Sequence, residues 1–136
     1  MGDFGGAKMA ILHKDQLLVY LRDDKPDIPF PALWDFPGGG REGDETPHQC
    51  AVRETFEEFG LHIAEAAIVW EQAYPSASGG LPTWFLVARL DAPFEGIRFG
   101  DEGQRWEVMS VDAYLRHPQA IGYLKARLSA YLDGRD

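Results

Sequence analysis

The distribution of apolar and polar positions near the start of the chain predicts a β-hairpin. Residues 8–13 and 17–22 form two mostly apolar runs of strand length, with a polar turn at 14–16 between them. Residues 23–33 contain three prolines, so we predict a loop there. Residues 34–36 then form a short extended piece, which ends at Pro37 and a predicted turn of three glycines, Gly38, Gly39 and Gly40.

The strongest helix signal in the chain follows this glycine run. Thr46 is a suitable N-cap, Pro47 suits the first helical position, and Gln49 completes a capping box with Thr46. We expect the helix to reach about Phe59, with Gly60 as its left-handed stop.

The second half of the chain predicts three more strands and a final helix. The strands fall at 67–72, 83–90 and 105–110, and a loop rich in Pro, Ser and Gly separates the first two. Apolar residues recur at helical spacing from Ile121 onwards, just after Pro118. Strands around a central helix, with another helix at the end, predict a mixed α/β fold in a single domain over residues 1–136. One face of the 83–90 strand is formed by Trp84, Leu86, Ala88 and Leu90.

Composition excludes several classes of protein. With 136 residues, 45% of them hydrophobic, the chain has enough apolar side chains for a core. It has no apolar run of the roughly 20 residues that a membrane span needs and no signal-peptide pattern, so we expect a cytoplasmic protein without membrane contact. Its single cysteine, Cys50, excludes an internal disulfide.

The charge balance limits the partners. A formal net charge of -9 disfavours binding to a nucleic acid polymer, whose phosphates attract basic surfaces. A small phosphorylated substrate meets the same repulsion unless metal ions reverse the sign of the charge locally.

Three glutamates on the predicted helix point to such a metal site. Glu54, Glu57 and Glu58 have i, i+3 and i+4 spacing, so they share one face and repel one another. Carboxylate oxygens at this density suit Mg²⁺ or Mn²⁺. Glu45 precedes the helix, and Arg53 is well placed to pair with it.

A solvated acidic helix face is the alternative interpretation, and the three glutamates alone would favour it. Two features argue against it. The cluster lies in the C-terminal half of the helix, where the helix dipole disfavours negative charge. It also follows a glycine run that lets backbone approach a ligand closely.

The stretch from Gly39 to Leu61 resembles the Nudix box, G-x5-E-x7-R-E-U-x-E-E-x-G-U, in which U is aliphatic. Every fixed charged residue and glycine of that pattern is present, and Thr55 is the one departure, at an aliphatic position. The box covers about a sixth of the chain. The resemblance implies the Nudix fold, an α/β/α sandwich with a central mixed sheet, a catalytic loop and helix, and a C-terminal helix. The matching residues are Gly39, Glu45, Arg53, Glu54, Glu57, Glu58 and Gly60.

The resemblance also implies roles for these residues. Glu57 and Glu58 would bind the metal together with the carbonyl of Gly39. Glu54 would be a further ligand or the base that activates water. Glu45 would sit behind the ligands, held by Arg53.

Other parts of the chain are similar to the MutT-type nucleoside triphosphate pyrophosphohydrolases of this family. Glu102, in the sequence Gly-Asp-Glu-Gly-Gln, matches a distal glutamate of their metal site, and an ordinary acidic turn is the alternative. Arg22 matches a residue that contacts substrate phosphate. Asp35 lies where a neighbouring acidic residue reads the base, and its alternative is a solvent-facing loop carboxylate.

These observations predict an Mg²⁺-dependent enzyme that splits a diphosphate linkage in a nucleoside triphosphate or related derivative, releasing the monophosphate and pyrophosphate. The alternative is a Nudix module that senses a nucleotide without cleaving it, although such modules usually lose a box glutamate. Isomerase chemistry on a prenyl diphosphate would need a catalytic cysteine elsewhere than Cys50. Oligomeric state and the identity of the nucleotide stay open.

Three aromatic residues are candidates for stacking on a nucleotide base: Phe30, Trp34 and Trp84.

Overall fold

The computed structural model describes residues 2–76 and 79–134. Its strands are β1 (Gly6–His13), β2 (Gln16–Leu21), β3 (Trp34–Asp35), β4 (Gly38–Gly40), β5 (Ile68–Tyr74), β6 (Thr83–Arg89) and β7 (Arg105–Ser110). Its helices are α1 (Pro47–Phe59), α2 (Val111–Arg116) and α3 (Gly122–Gly134), with a short 3₁₀ helix at Glu65–Ala67.

The strands form one mixed sheet. The order is β3-β2-β1-β6-β5, with β4 added beside β1 and β7 beside β2. β1 and β6 are parallel, and the other pairs are antiparallel. The β1–β2 hairpin is paired only near its turn, where Leu12 lies opposite Leu17. Further along, β4 pairs with β1 and β3 pairs with β2, so the 34–40 segment lies between the diverging strands of the hairpin.

Side chains of β1 alternate between two buried clusters. Ala10 and Leu12 join the cluster that contains residues of α2 and α3. Met9 and Ile11 join the cluster that contains residues of α1. Because successive strand side chains point to opposite faces, the sheet is covered on both sides. The predicted α/β/α sandwich with a central mixed sheet is therefore confirmed.

α1 begins and ends where the sequence predicts. Thr46 is the N-cap, and the Thr46–Gln49 capping box is complete in both directions. Pro47 occupies the first position, and Gly60 closes the helix with a φ of 65°. An L side chain at Gly60 would be strained by this φ and would also crowd Arg98.

Two details differ from the sequence expectations, and one expectation falls partly outside the described residues. Gly38–Gly40 is a strand paired with β1 and not a turn, since its backbone groups bond across the gap left by the hairpin. α2 has only six residues, too few to show a helical period, and was not predicted. The loop predicted between β5 and β6 includes residues 77 and 78, which lie outside the described residues. Among the described helices, none has the length and apolar character that crossing a membrane requires.

Candidate active site

The glycine strand β4 lies directly against the acidic face of α1. The Gly38 N–H donates to Oε1 of Glu58 at 2.9 Å. A Cβ at Gly39 would fall 2.5 Å from the Glu54 carboxylate, so a side chain at this position would displace that carboxylate. The Cys50 thiol donates to the Gly39 carbonyl at 3.6 Å. Backbone of β4 and carboxylates of α1 thus form one surface.

Arg53 organises the acidic residues around that surface. Its Nε and one terminal nitrogen donate to both carboxylate oxygens of Glu45, at 2.6 and 3.1 Å. The same terminal nitrogen donates to the Gly40 carbonyl at 2.8 Å. Its other terminal nitrogen contacts Glu54 at 2.9 Å and Glu57 at 3.2 Å. Hydrogen bonds from Arg53 are the main reason that the pKa of Glu45 is lowered. The expected Arg53–Glu45 pairing is therefore present.

Burial raises the pKa of two carboxyl groups on α1, those of Glu54 and Glu58. Burial raises the pKa of Glu58 to about 8, although Lys8 and the Gly38 N–H oppose the rise. Burial also raises the pKa of Glu54, and the charges of Glu57 and Glu102 add to that rise. The Arg53 charge does not offset these effects completely.

The donor set fits a hard divalent cation. In residues 2–76 and 79–134, no three Asp, Glu, His or Cys side chains stand close enough together to hold a metal ion as they are placed. Arg53 donates hydrogen bonds to Glu54 and Glu57, and the Gly38 N–H donates one to Glu58. Neighbouring carboxylates that repel one another are nevertheless stabilised by a cation that prefers oxygen ligands. Their chemistry and the neighbouring backbone carbonyl of Gly39 agree with Mg²⁺ or Mn²⁺.

Glu102 lies on an exposed loop at the edge of this region. It lines a cavity of about 240 Å³ together with Tyr20 and Arg22. The Gly100 N–H donates to the Glu58 carbonyl at 2.8 Å and attaches the loop to the end of α1. The structure therefore brings Glu102 into the electrostatic neighbourhood of Glu54, as its effect on the pKa of Glu54 indicates.

Asp35 is buried, and the interpretation of a solvent-facing loop carboxylate is wrong. It lies in β3 and is 1% exposed. Its Oδ2 accepts from Lys8 at 2.8 Å, Arg22 at 3.0 Å and Tyr20 at 3.1 Å. Its Oδ1 accepts from the Phe36 N–H at 2.8 Å. Three of these four donors share Oδ2, and the backbone N–H alone is on Oδ1. Asp35 thus joins β1, β2 and β3.

Lys8 and Tyr20 belong to this cluster, and the sequence analysis did not identify either. A signal for Lys8 was present, because Lys8 is on the same face of β1 as the core residues Ala10 and Leu12. A charged residue in such a position needs a buried partner. Its partner, Asp35, could not be recognised because the two lie on different strands.

The candidate base platforms have different surroundings. Trp34 is 4% exposed and lies in the core beside α2 and α3, so it has no free face. Trp84 packs against the α1-side core. Phe30 lies 5.5 Å from the Tyr123 ring, and both line a cavity of about 220 Å³ that also contains Arg22.

The fold and this carboxylate surface define a member of an established enzyme class. Residues 6–128 match the NUDIX domain. The chain therefore belongs to the NUDIX family.

Individual relatives agree with this assignment. An 8-oxo-dGTP diphosphatase of Escherichia coli (strain K12) is 38% identical over 104 residues, which cover 76% of this chain and 78% of the relative. An RNA pyrophosphohydrolase of Tolumonas auensis is 37% identical over a match covering 52% of this chain and 50% of the relative. The chain thus spans about half the length of that second relative.

Solved structures share the fold at low sequence identity. The MutT protein of Methanosarcina mazei Go1 has a TM-score of 0.76 at 16% identity, over 96% of this chain and 94% of that one. A bifunctional NMN adenylyltransferase/ADP ribose pyrophosphatase of Francisella tularensis, complexed with AMP and a Mn ion, has a TM-score of 0.78. It is 20% identical, with 97% of this chain and 42% of that chain covered.

Proposed function

We propose that this enzyme hydrolyses a nucleoside triphosphate, or a related nucleoside diphosphate derivative, in an Mg²⁺-dependent reaction that releases a nucleoside monophosphate and pyrophosphate. The observation that carries the proposal is the contact of the partly buried carboxylates of Glu54 and Glu58 with the glycine backbone of β4. A diphosphate bears dense negative charge, so a site for it needs more positive charge than this cluster provides by itself.

The metal would be held by the Gly39 carbonyl and by the carboxylates of Glu54, Glu57, Glu58 and Glu102. When bound, Mg²⁺ or Mn²⁺ supplies charge neutralisation for the phosphate oxygens and a lower pKa for a coordinated water. Freeing these carboxylates for the metal requires Arg53 to release Glu54 and Glu57, while its bidentate bond to Glu45 keeps it in place.

The chain's own residues then have separate tasks. A carboxylate of α1, from Glu54, Glu57 or Glu58, removes a proton from the attacking water. Arg53 and Glu45 hold α1 and β4 together, so that the carboxylates keep a fixed position relative to the substrate. Arg22 donates to a substrate phosphate or base.

We further propose that the base enters the cavity between Phe30 and Tyr123. Aromatic rings bind the face of a nucleobase by stacking. The Asp35 carboxylate contributes by holding Arg22 in the wall. The Arg22 guanidinium in this wall is a donor only, which favours a base that presents a carbonyl oxygen, such as guanine or its oxidised form. The name of the Escherichia coli relative, 8-oxo-dGTP diphosphatase, is consistent with this preference.

A panel of nucleoside triphosphates, 8-oxo-dGTP, dinucleoside polyphosphates and nucleotide sugars tests the proposal. We expect monophosphate and pyrophosphate from a triphosphate with a carbonyl-bearing base, and no product after chelation of divalent ions. The Glu58→Gln variant should lose at least about 100-fold in kcat. Orthophosphate as the product would overturn the proposed cleavage position. Binding without any product, together with an unaffected Glu58→Gln variant, would instead support the nucleotide-sensing alternative.

A further inference from the structure

Lys8 occupies a position that the packing of the sheet would assign to an apolar residue. It is on the β1 face that carries Ala10 and Leu12, and its side chain is only 16% exposed. Burying an ammonium group costs free energy that a methionine of similar length would not cost. The position of Lys8 therefore calls for an explanation other than core packing.

The Lys8 ammonium contacts the segment that precedes and begins the glycine strand. It donates to Oδ2 of Asp35 at 2.8 Å, to the Phe36 carbonyl at 3.4 Å and to the Gly38 carbonyl at 3.5 Å. All three acceptors lie between Asp35 and Gly38, where β1 and β2 diverge. One cation thus holds the chain segment that crosses this gap.

Neutralising Asp35 does not by itself require Lys8. Arg22 already forms an ion pair with the same oxygen at 3.0 Å, and the Tyr20 hydroxyl donates to it at 3.1 Å. The contacts that Lys8 alone contributes from a side chain are those to the Phe36 and Gly38 carbonyls. These contacts act on the backbone of the glycine strand.

The same backbone faces the carboxylates of α1. The Gly38 N–H donates to Glu58, and Gly39 lies against Glu54. A shift of the Gly38 carbonyl would therefore rotate or move the peptide groups that contact Glu58 and Glu54. Displacements of about 1 Å in such supporting groups cost up to about 100-fold in rate.

We propose that Lys8 is a positioning residue for the hydrolytic reaction, which fixes the Asp35–Gly38 segment and thereby the backbone that faces Glu54 and Glu58. It acts through β4 and does not contact the reacting atoms. This inference rests on the function proposed above, in which Gly39 and the two glutamates bind the metal.

Substitution of Lys8 by methionine, which keeps the length and removes the charge, tests this role. Lys8→Met should lower kcat by about tenfold or more. KM does not separate the roles, because Lys8 also lines the cavity proposed for the base. Because supporting groups around metal ligands affect affinity by about 10- to 100-fold, Mn²⁺ should bind about tenfold more weakly, as measured by electron paramagnetic resonance of free Mn²⁺ without substrate. Lys8→Arg should give intermediate values for both quantities. The matched control is Lys125→Met on α3, which should leave both unchanged.

The outcomes separate the two proposals. A folded Lys8→Met protein with Mn²⁺ affinity and kcat within about twofold of the wild type would overturn the positioning role. If Lys8→Met melts below the assay temperature, Lys8→Gln is measured instead against the same limits. Failure of the wild type to hydrolyse any diphosphate would overturn the proposed function, while the Mn²⁺ affinities would still decide whether Lys8 orders the site.

Discussion

At the scale of single residues, Thr55 shows how a departure from the Nudix pattern is accommodated. It stands where the box has an aliphatic residue, and it is completely buried on α1. Its hydroxyl donates to the Ala51 carbonyl one turn earlier, at 2.8 Å. The polar group is therefore satisfied inside the helix, and Glu54, Glu57 and Glu58 keep their spacing.

Replacing Thr55 by valine should be neutral or stabilising. Valine has the same branched shape and removes the hydroxyl, while the Ala51 carbonyl keeps its helical hydrogen bond. We expect the free energy of unfolding to rise by between zero and about 1 kcal/mol in urea denaturation, with kcat unchanged. Thr55→Ala, which removes a buried methyl group as well, should be less stable than the wild type by about 1 kcal/mol. A loss of stability in Thr55→Val would show that the hydroxyl is needed.

Residue pairs differ in how far the sequence predicts them. The Arg53–Glu45 ion pair could be predicted from the sequence, because Glu45 lies just before α1 and Arg53 lies within it. The Lys8–Asp35 ion pair joins residues 27 positions apart on different strands. No local pattern encodes that contact, so both the burial of Asp35 and the role of Lys8 required coordinates.

At the scale of secondary structure, α1 was predicted closely because its signals are local. The N-cap, the proline at the first position, the capping box and the glycine stop all lie within the helix and its ends. β4 depends instead on pairing with β1, and three glycines carry no strand pattern of their own. The short helix α2 is too brief for a periodic signal. The parts of the site that α1 provides were thus predictable, while the support from β3 and β4 was not.

Removal of the N-cap should destabilise the protein without a direct effect on the carboxylates. The Thr46 hydroxyl accepts from the Gln49 N–H at 3.1 Å. Thr46→Ala leaves this donor without its partner and should lower the free energy of unfolding by about 1 kcal/mol. Thr46→Ser keeps the acceptor oxygen and should stay within about 0.5 kcal/mol of the wild type. Equal losses in the two variants would mean that the hydroxyl does not cap the helix.

Arg53 joins α1 to the loop before it and to β4, so its replacement tests the link between these elements. Lysine keeps the charge but lacks the planar fork that contacts Glu45 and the Gly40 carbonyl together. We expect Arg53→Lys to lower kcat by about tenfold or more. Arg116→Lys, on the exposed surface of α2, is the control and should leave kcat unchanged.

A double substitution gives the Arg53 prediction a sharper form. If Arg53 and Glu45 act as a unit, adding Glu45→Gln to Arg53→Lys should reduce kcat by much less than Glu45→Gln does alone. Additive losses in steady-state kinetics would contradict a shared role.

At the scale of the whole molecule, three paired cations lie at the proposed site of an acidic protein. The formal net charge is -9. Lys8, Arg22 and Arg53 are nevertheless gathered around the carboxylates of β3 and α1. On the proposed function, we expect a small nucleotide to reach Arg22 and a bound metal ion while covering little of the protein surface. We expect the phosphates of a long RNA chain to be repelled by a protein of this net charge.

This difference predicts how salt should affect two substrates. Screening weakens repulsion between like charges, so added salt should help the approach of a polyanion to this enzyme. For a short 5′-triphosphorylated RNA, we expect kcat/KM to stay constant or rise between about 50 and about 200 mM salt, whereas proteins that release counterions from nucleic acid lose affinity over this range. Dividing by kcat/KM for a free nucleoside triphosphate at each salt concentration removes the effect of salt on metal binding. A steep fall of this ratio would reveal a basic RNA-binding surface that outweighs the net charge, and would make RNA ends a candidate substrate.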